Sequence, residues 1–248
     1  MAGKLDSVWI GWEPRELDAY VVAQHSFKKH LPVPVPIKGI ILDAMRERGL
    51  YTRKHKGNVD VISDAPMATQ FSISRFLTHH LAMGQHAGKG LDLYNRWALF
   101  VDCDVMVRKN LANLENVLDP AYAVMCVKHN HEPPEGLKMD GQAQLRYAKK
   151  NWSSVMAFNL AHKANRGLTV ELVNTVPGRD LHGFCWLRSG EIGDLGVTYN
   201  YLVGHNTRRE VADPHIVHFT EGVPSMPGYE HTDFADEYRA CLNYWVAG

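Results

Sequence analysis

The 248-residue sequence contains few cysteines and no paired cysteine motif, and this excludes two classes of protein. Its four cysteines, Cys103, Cys126, Cys185 and Cys241, stand far apart along the chain and form no CxxC pair. The sequence therefore predicts neither a disulfide framework nor a zinc knuckle. This cysteine usage suits a reducing compartment, so we expect a cytoplasmic protein.

The sequence also lacks any apolar run near the roughly 20 residues that a membrane-spanning helix requires. Its first residues, MAGKLDSVWIGW, lack the apolar segment of a signal peptide, and we find no internal repeat or low-complexity segment. With 45% apolar and 22% charged residues, the chain can bury a substantial core. We therefore expect one large soluble domain over residues 1–248.

The sequence has no net charge, because its 27 lysines and arginines are balanced by 27 aspartates and glutamates. It thus exerts no overall attraction on a polyanion. The balance is local rather than uniform, since residues 25–56 hold eight basic residues against two acidic ones. Such a segment can face a phosphate-bearing partner, although a solvated surface is the commoner explanation.

Apolar runs alternate with helical periodicity along the chain, which predicts an α/β fold. In such folds ligands bind beyond the carboxyl ends of the strands. We predict helices from Glu16 to about Leu31, over 72–83 and over 233–246, and strands over 7–11, 36–42, 97–107, 122–127, 154–160 and 216–219. The intervening segment 129–151 has weak periodicity and is predicted to be a mobile or substrate-contacting loop.

Two acids interrupt the run WALFVDCDVMV (97–107), whose composition otherwise suits a strand buried on both faces. On a regular strand, Asp102 and Asp104 would point to one face and Cys103 to the other, where it would be a buried apolar side chain. Two such carboxylates repel each other and are costly to bury without a partner. A divalent cation that prefers oxygen ligands, Mg²⁺ or Mn²⁺, resolves both problems.

Several kinds of protein use an acid pair of this type. A metal-bound pair can hold a nucleotide-diphosphate sugar and stabilise the departing diphosphate. In haloacid-dehalogenase-like phosphatases the first aspartate is instead a nucleophile, but that motif usually begins the chain, and here about a hundred residues precede it. A non-enzymatic nucleotide-sugar-binding module and a plain pair of surface acids are the remaining alternatives.

Five segments, in this order, resemble those of GT-A glycosyltransferases, most of all family 8 and its bacterial and phage-encoded relatives. They are FSISRF (71–76), LFVDCDVMVRKNLANL (99–114), NWSSVMAFNL (151–160), LGVTYNYL (195–202) and VHFTEGVP (217–224). The resemblance implies a Rossmann-like α/β/α sandwich with a mostly parallel central sheet. It also implies a UDP-sugar donor, Mn²⁺ or Mg²⁺, and transfer with retention of anomeric configuration.

The resemblance also assigns roles to individual residues. It implies that Asp102, Asp104 and His218 bind the metal, and that Arg75 contacts the donor and takes part in catalysis. The other residues that it places at the nucleotide sugar are Ile10, Gly11, Trp12, Cys103, Asn151, Ser153, Ser154 and Gly222. Asn200 matches an asparagine of the family's late motif.

The chain departs from the family pattern at two points. The catalytic acid–glutamine pair of the family has no clear counterpart in RDLHGFCWLRSGEIGD (179–194). Glu191, Asp194 and Asp180 are the candidates for a catalytic carboxylate, and the sequence does not choose among them. The lysine that follows the final histidine and glycine is also missing, and Lys149 or Lys150 is a possible substitute. Without an assured nucleophile, we expect a front-face mechanism.

The first expectation for the acceptor is a 5-hydroxymethylpyrimidine base in phage DNA, because some phage enzymes of this type modify such bases. The basic segment 25–56, with Lys138, Arg146, Lys149 and Lys150, could then contact phosphates. The alternative acceptor is a glycan or a lipopolysaccharide precursor. The sequence makes no prediction of the oligomeric state.

Overall fold

A computed structural model describes residues 3–129, 149 and 151–247. Its strands are β1 (Lys4–Gly11), β2 (Ile37–Ile40), β3 (His55–Lys56), β4 (Val59–Asp60), β5 (Ala65–Pro66), β6 (Arg96–Val101), β7 (Val105–Val107), β8 (Val124–Cys126), β9 (Val155–Asn159), β10 (Ile192–Asp194), β11 (Tyr201–Leu202) and β12 (Ile216–His218). Its α-helices are α1 (Leu17–His30), α2 (Leu42–Glu47), α3 (Thr78–Gly84), α4 (Ala112–Val117), α5 (Val170–Thr175), α6 (Gly178–His182) and α7 (Ala235–Ala247).

The central sheet has six strands in the order β10-β8-β9-β6-β1-β2. Strand β9 is antiparallel to both of its neighbours, and every other adjacent pair in the sheet is parallel. Residues 97–101 and 155–159 are fully buried because both faces of these strands are covered. Continuous apolar runs, rather than alternating ones, are therefore the correct signature of this sheet.

A second sheet of three strands, β11-β12-β7, lies where β6 ends. It has a separate apolar cluster, formed with α1 and α7, that includes Met106, Val217, Phe219 and Tyr238. Helix α1 contacts β1, β7 and α7, so it bridges the central sheet and this second one. A small antiparallel sheet, β3-β4-β5, follows α2.

The predicted α/β organisation is present, and most predicted strands and helices lie near their predicted positions. One prediction is wrong in a way that matters: residues 97–107 are two strands, β6 and β7, which belong to different sheets. The helix predicted over 72–83 begins as a 3-10 helix, Ser74–Leu77, before α3. The short elements α2, β3–β5, α4, α5, α6, β10 and β11 were not predicted, since each is too short to show a period.

Part of the predicted contact loop lies outside the described residues, and so do Lys138, Arg146 and Lys150. Within residues 3–129 and 151–247, no helix combines the length and apolar character needed to cross a membrane.

A buried ion pair joins the small sheet to the remainder of the chain. The Arg53 guanidinium donates to both carboxylate oxygens of Asp60, and neither side chain is exposed to solvent. Its Nη1 also donates to the carbonyl oxygens of Val173 and Val176, at 2.8 and 2.7 Å. Every donor of the pair that faces the core thus has an acceptor, which is the condition under which a buried charge is tolerated.

We expect Asp60→Asn to destabilise the protein by about 3–5 kcal/mol, because it leaves the Arg53 charge buried without a counter-charge. Urea denaturation measures this loss. Asp236→Asn is the matched control: Asp236 also pairs with an arginine, Arg239, but 98% of its side chain is exposed, so its loss should leave the denaturation midpoint nearly unchanged. Equal shifts in the two variants would contradict the role given to burial.

Candidate metal and donor site

The acid pair lies in the turn that connects the two sheets. Strand β6 ends at Val101, the backbone N–H of Asp102 donates to the carbonyl of Ser154 at 2.9 Å, and β7 begins at Val105. Asp102 and Asp104 are partly exposed, whereas Cys103 between them is fully buried. The carboxylates therefore lie on a turn at the carboxyl end of β6 rather than on one face of a continuing strand.

Pairing of β7 with β12 brings His218 to this turn. The two strands are antiparallel, with His218 opposite Val105, and the N–H of Phe219 donates to the carbonyl of Asp104 at 2.9 Å. Nε2 of His218 lies 3.1 Å from Oδ1 of Asp104. One ligand atom from each of Asp102, Asp104 and His218 lies within 4.8 Å of the others.

Arg75 holds the other acid. Its Nη1 donates to Oδ1 of Asp102 at 2.7 Å and to the carbonyl of Ser153 at 3.0 Å. The guanidinium carbon lies 5.1 and 5.2 Å from the ring centroids of Phe71 and Phe100, so the charge packs against both aromatic rings. Only 8% of the Arg75 side chain is exposed. Arg75 therefore fixes the Asp102 carboxylate from behind rather than standing open to solvent.

Buried polar groups surround the histidine on its far side. Nδ1 of His218 lies 3.1 Å from Oδ1 of Asn200, and Nδ2 of Asn200 donates to the hydroxyl of Ser154 at 2.9 Å. That hydroxyl donates in turn to the carbonyl of Asn151 at 2.7 Å. Of the residues that the sequence associates with the sugar pocket, Ser154 and Asn151 thus contact the metal-binding candidates indirectly, through Asn200.

His182 is a site residue that the sequence reasoning missed. Its Nδ1 lies 2.6 Å from the hydroxyl of Ser153, and its ring packs edge-on against Phe76. Burial, with a smaller effect of the nearby Arg75 charge, lowers the pKa of His182 to about 3. It therefore stands as a neutral imidazole in the segment where the family resemblance leads one to expect a carboxylate. No spacing pattern in RDLHGF indicated it.

A further acid, Glu16, lies behind the turn. Its carboxylate accepts a hydrogen bond from the thiol of Cys103 at 3.2 Å. Burial, and then the negative charge of Asp104, raise the pKa of Glu16 to about 7. Burial also raises the pKa of the Cys103 thiol, so it remains protonated. Three carboxyl groups thus lie near the turn, and Arg75 is bound to only one of them.

The three-residue cluster fits a divalent metal ion. Its donor set consists of two hard carboxylate oxygens and one imidazole nitrogen, a combination suited to Mn²⁺ and acceptable to Mg²⁺. Neighbouring ligands of such an ion lie roughly 3–4 Å apart, close to the separations found here. The surplus of negative charge at the turn also favours a cation.

The structure corrects several donor-binding assignments. Ile10 lies within β1 rather than in the loop after it, and its side chain and that of Cys103 are fully buried, so only backbone groups of these two residues could contact a donor. Gly11 ends β1, where an added Cβ would lie 2.4 Å from the Phe71 ring. A Cβ at Gly222 would similarly lie 2.5 Å from the Tyr229 ring. Close packing thus explains both glycines. Trp12 remains partly exposed, edge-on to Tyr20.

Two of the three candidate catalytic carboxylates, Glu191 and Asp194, lie away from the cluster. Glu191 precedes β10, at the edge of the sheet opposite the acid turn, and its carboxylate accepts from the N–H of Arg188. Asp194 ends β10, three strands away from β6. At about 4.8 Å per strand and 3.3 Å per residue, Glu191 is roughly 20 Å and Asp194 roughly 15 Å from Asp102.

The possible phosphate-binding lysine has other contacts. Nζ of Lys149 donates to the carbonyl of Gly183 at 2.7 Å and lies 5.7 and 5.6 Å from the ring centroids of Trp152 and Phe184. Its ammonium group thus links the segment before β9 to the turn after α6. To contact a phosphate, it would have to give up this carbonyl.

One sequence relative shares most of the chain. Protein CDI of Arabidopsis thaliana is 40% identical over 232 residues, which cover 92% of this chain and 83% of that protein. No family model matches the sequence.

Solved glycosyltransferase structures share the fold. The bifunctional glycosyltransferase WbbM superposes on 98% of this chain with a TM-score of 0.58 and 11% identity, and the chain spans 50% of the length of WbbM. The galactosyltransferase LgtC, in complex with donor and acceptor sugar analogues, superposes with a TM-score of 0.54 and 14% identity, covering 96% of this chain and 95% of LgtC. The predicted GT-A fold, an α/β fold with a mostly parallel central sheet, is therefore confirmed.

The low pKa of His182 leads to a prediction about acid stability. An unfolded histidine binds a proton near pH 6.5, whereas the folded His182 resists protonation down to about pH 3. Its contribution to stability is therefore complete above pH 6.5 and is lost as the pH falls toward 3. Replacing His182 by Asn keeps an acceptor near the Ser153 hydroxyl but removes the titrating group. Relative to the variant, the wild type should lose about 1.4 kcal/mol per pH unit between pH 6 and 4.

Urea denaturation of both proteins at several pH values measures this difference. The other histidines are common to the two proteins, so their effects cancel in the comparison. Two parallel curves of stability against pH would contradict the prediction, because they would mean that His182 has the same pKa in the folded and the unfolded protein.

Proposed function

We propose that this chain, which belongs to the family of Protein CDI from Arabidopsis thaliana, is a metal-dependent glycosyltransferase that uses a nucleotide-diphosphate sugar. The observation that carries the proposal is the convergence of Asp102, Asp104 and His218 at the carboxyl end of β6. In open α/β sheets this end of the strands is where ligands bind. The GT-A fold of glycosyltransferases supports the same conclusion.

The two aspartates and the histidine would hold Mn²⁺ or Mg²⁺. An ion at this position supplies positive charge to the diphosphate as its bond to the sugar breaks. The protein contributes fixed ligand positions: Arg75 anchors the Asp102 carboxylate, and β12 anchors His218 beside Asp104. Because Asp102 and His218 are held by these contacts, little reorganisation of those two ligands would accompany binding.

UDP-sugar is the proposed donor, as the family resemblance implies. Trp12 directly follows β1, which pairs with β6, and so lies near the turn that carries Asp102 and Asp104. Its ring is partly exposed and offers an aromatic face for a base. Arg75, which binds Asp102, also donates to the carbonyl of Ser153. The hydroxyl of Ser153 in turn contacts the neutral ring of His182. We place the sugar on this side of the cluster.

Front-face substitution with retention is the proposed mechanism. Glu191 and Asp194 lie beside or on β10, three strands from β6 in the order of the central sheet, and this separation favours a route without either of them as nucleophile. His182 is neutral and its Nδ1 is engaged by Ser153. In a front-face route the acceptor hydroxyl itself bonds to the anomeric carbon on the face from which the diphosphate departs, so no protein nucleophile is needed. An oxygen of the departing diphosphate would take the proton of that hydroxyl.

A carbohydrate hydroxyl is the better supported acceptor. LgtC was crystallised with donor and acceptor sugar analogues, and this chain shares its fold. The case for hydroxymethylated DNA rests on the basic segment 25–56, yet three of its basic residues have partners within the protein: Arg53 binds Asp60, Arg46 binds Asp43 and Lys38 binds Gln85. Fewer charges then remain for a phosphate backbone.

Donor turnover tests the metal site. We expect Asp102→Asn and His218→Ala to lower Mn²⁺-dependent hydrolysis of the UDP-sugar at least a hundredfold, because each removes a ligand. Asp119→Asn is the control, since Asp119 is exposed and lies on the loop that precedes β8. Full activity in either ligand variant would rule out the assignment.

The acceptor is identified by incubating the protein and Mn²⁺ with labelled nucleotide sugars and with either oligosaccharides or hydroxymethylated DNA. Transfer to oligosaccharide is the expected result, and transfer to DNA would reverse the order of the two acceptors. Phosphate release from simple esters would indicate the phosphatase alternative. Donor binding without hydrolysis or transfer would indicate a binding module.

A further inference from the structure

Asn200 occupies the centre of a buried chain of hydrogen bonds that ends at the metal-binding candidate His218. We propose that Asn200 is a positioning residue, which keeps a proton on Nδ1 of His218 and so presents the lone pair of Nε2 to the acid cluster. The inference deepens the proposed function and rests on the metal site within it.

The hydroxyl of Ser154 has one proton to donate. That proton is used by the carbonyl of Asn151, 2.7 Å away. Toward Asn200, 2.9 Å away, the hydroxyl oxygen can therefore only accept. The group of Asn200 that faces Ser154 must then be its NH₂ group, and a second weak contact from this group to the Asn151 carbonyl, at 3.5 Å, supports the same orientation.

The carbonyl oxygen of the Asn200 side chain is the other half of its amide. With NH₂ committed to Ser154, the carbonyl oxygen faces Nδ1 of His218 at 3.1 Å. A carbonyl oxygen has no proton, so the ring nitrogen must be the donor. A neutral imidazole that is protonated at Nδ1 has its lone pair on Nε2, the atom that lies 3.1 Å from Asp104.

The amide of Asn200, rather than the carboxylate of Asp104, decides the position of the proton on the His218 ring. Asn200 is fully buried and Ser154 is 3% exposed, so water cannot replace a lost hydrogen bond there, and an orphaned group costs about 1–3 kcal/mol. The Asp104 side chain is 19% exposed, so it is less enclosed than Asn200. The buried end of the chain therefore fixes the tautomer, and the open end is left for the metal.

The backbone at Asn151 completes the chain. Its φ of 62° is in the left-handed region, which asparagine tolerates better than most residues. This turn starts the 3-10 helix Trp152–Ser154 and directs the Asn151 carbonyl toward both Ser154 and Asn200. The acceptor that begins the chain is thus built into the backbone.

Nitrogen-15 NMR of the metal-free protein tests the tautomer without any reaction. At a pH where the ring is neutral, we expect His218 to carry its proton on Nδ1, with its signals assigned by their loss in His218→Gln. In Asn200→Leu the proton should move to Nε2, where Asp104 is the remaining acceptor. Asn200→Asp keeps an acceptor for Nδ1–H and should retain the wild-type tautomer. A proton on Nε2 in the wild type would overturn the inference.

Calorimetric titration with Mn²⁺ supplies the second readout. We expect Asn200→Leu to weaken Mn²⁺ binding about 10- to 100-fold, and Asn200→Asp to recover most of the affinity. Asn165→Leu is the matched control, because Asn165 is also fully buried and donates to two carbonyls, those of Ala123 and Asn159, away from the cluster. It should destabilise the fold without changing Mn²⁺ affinity or the His218 tautomer.

The outcomes separate this inference from the function on which it rests. A wild-type protein that does not bind Mn²⁺ would refute the metal site. Binding that is equal in the wild type and Asn200→Leu, or lost equally in Asn200→Leu and Asn165→Leu, would refute the role of Asn200 alone. If Asn200→Leu does not fold, the wild-type tautomer and the Asn200→Asp affinity still decide the question.

Discussion

The antiparallel pairing of β7 with β12 is the constraint on which the candidate site depends. It extends the chain beyond β6 into a second sheet, and in doing so it places His218 opposite Val105, one residue from Asp104. Ile216 and Val217 of this pair are fully buried. Apolar packing therefore holds the geometry of the polar cluster, and the charged groups themselves contribute little to keeping the strands together.

The two acids are compensated in different ways, and this difference suits a site that binds and releases a cation. Asp102 is bound by the Arg75 guanidinium, which is buried against the rings of Phe71 and Phe100. Asp104 faces an imidazole, which can change partners. A metal ion therefore meets one fixed carboxylate and one adaptable carboxylate, and the Glu16 carboxyl behind the turn, with a raised pKa, adds to the negative field when it ionises.

The sequence predicted those parts of the molecule that have a local signature. Continuous apolar runs marked β6, β8 and β9, and helical spacing marked α1 and α7. The acid pair followed from its own chemistry, and His218 from a motif. Ile10 and Cys103 were assigned to the donor by their position in motifs, and their buried side chains leave only backbone groups for that role. His182 could not have been found, because its role comes from contact with Ser153, 29 residues away, and from the loss of water around its ring.

The short segment 151–154 contacts both the arginine that holds Asp102 and the asparagine that contacts His218, and this has a consequence for how the site can change. The carbonyl of Ser153 accepts from Arg75, which holds Asp102, while the hydroxyl of its neighbour Ser154 accepts from Asn200, which contacts His218. Both serines follow the left-handed turn at Asn151. A shift of this turn would therefore move Asp102 and His218 together. The distance between these two residues is then less sensitive to motion of the segment than the position of either residue is. Rigid positioning of ligands against one another, rather than against the whole fold, is what a metal site requires.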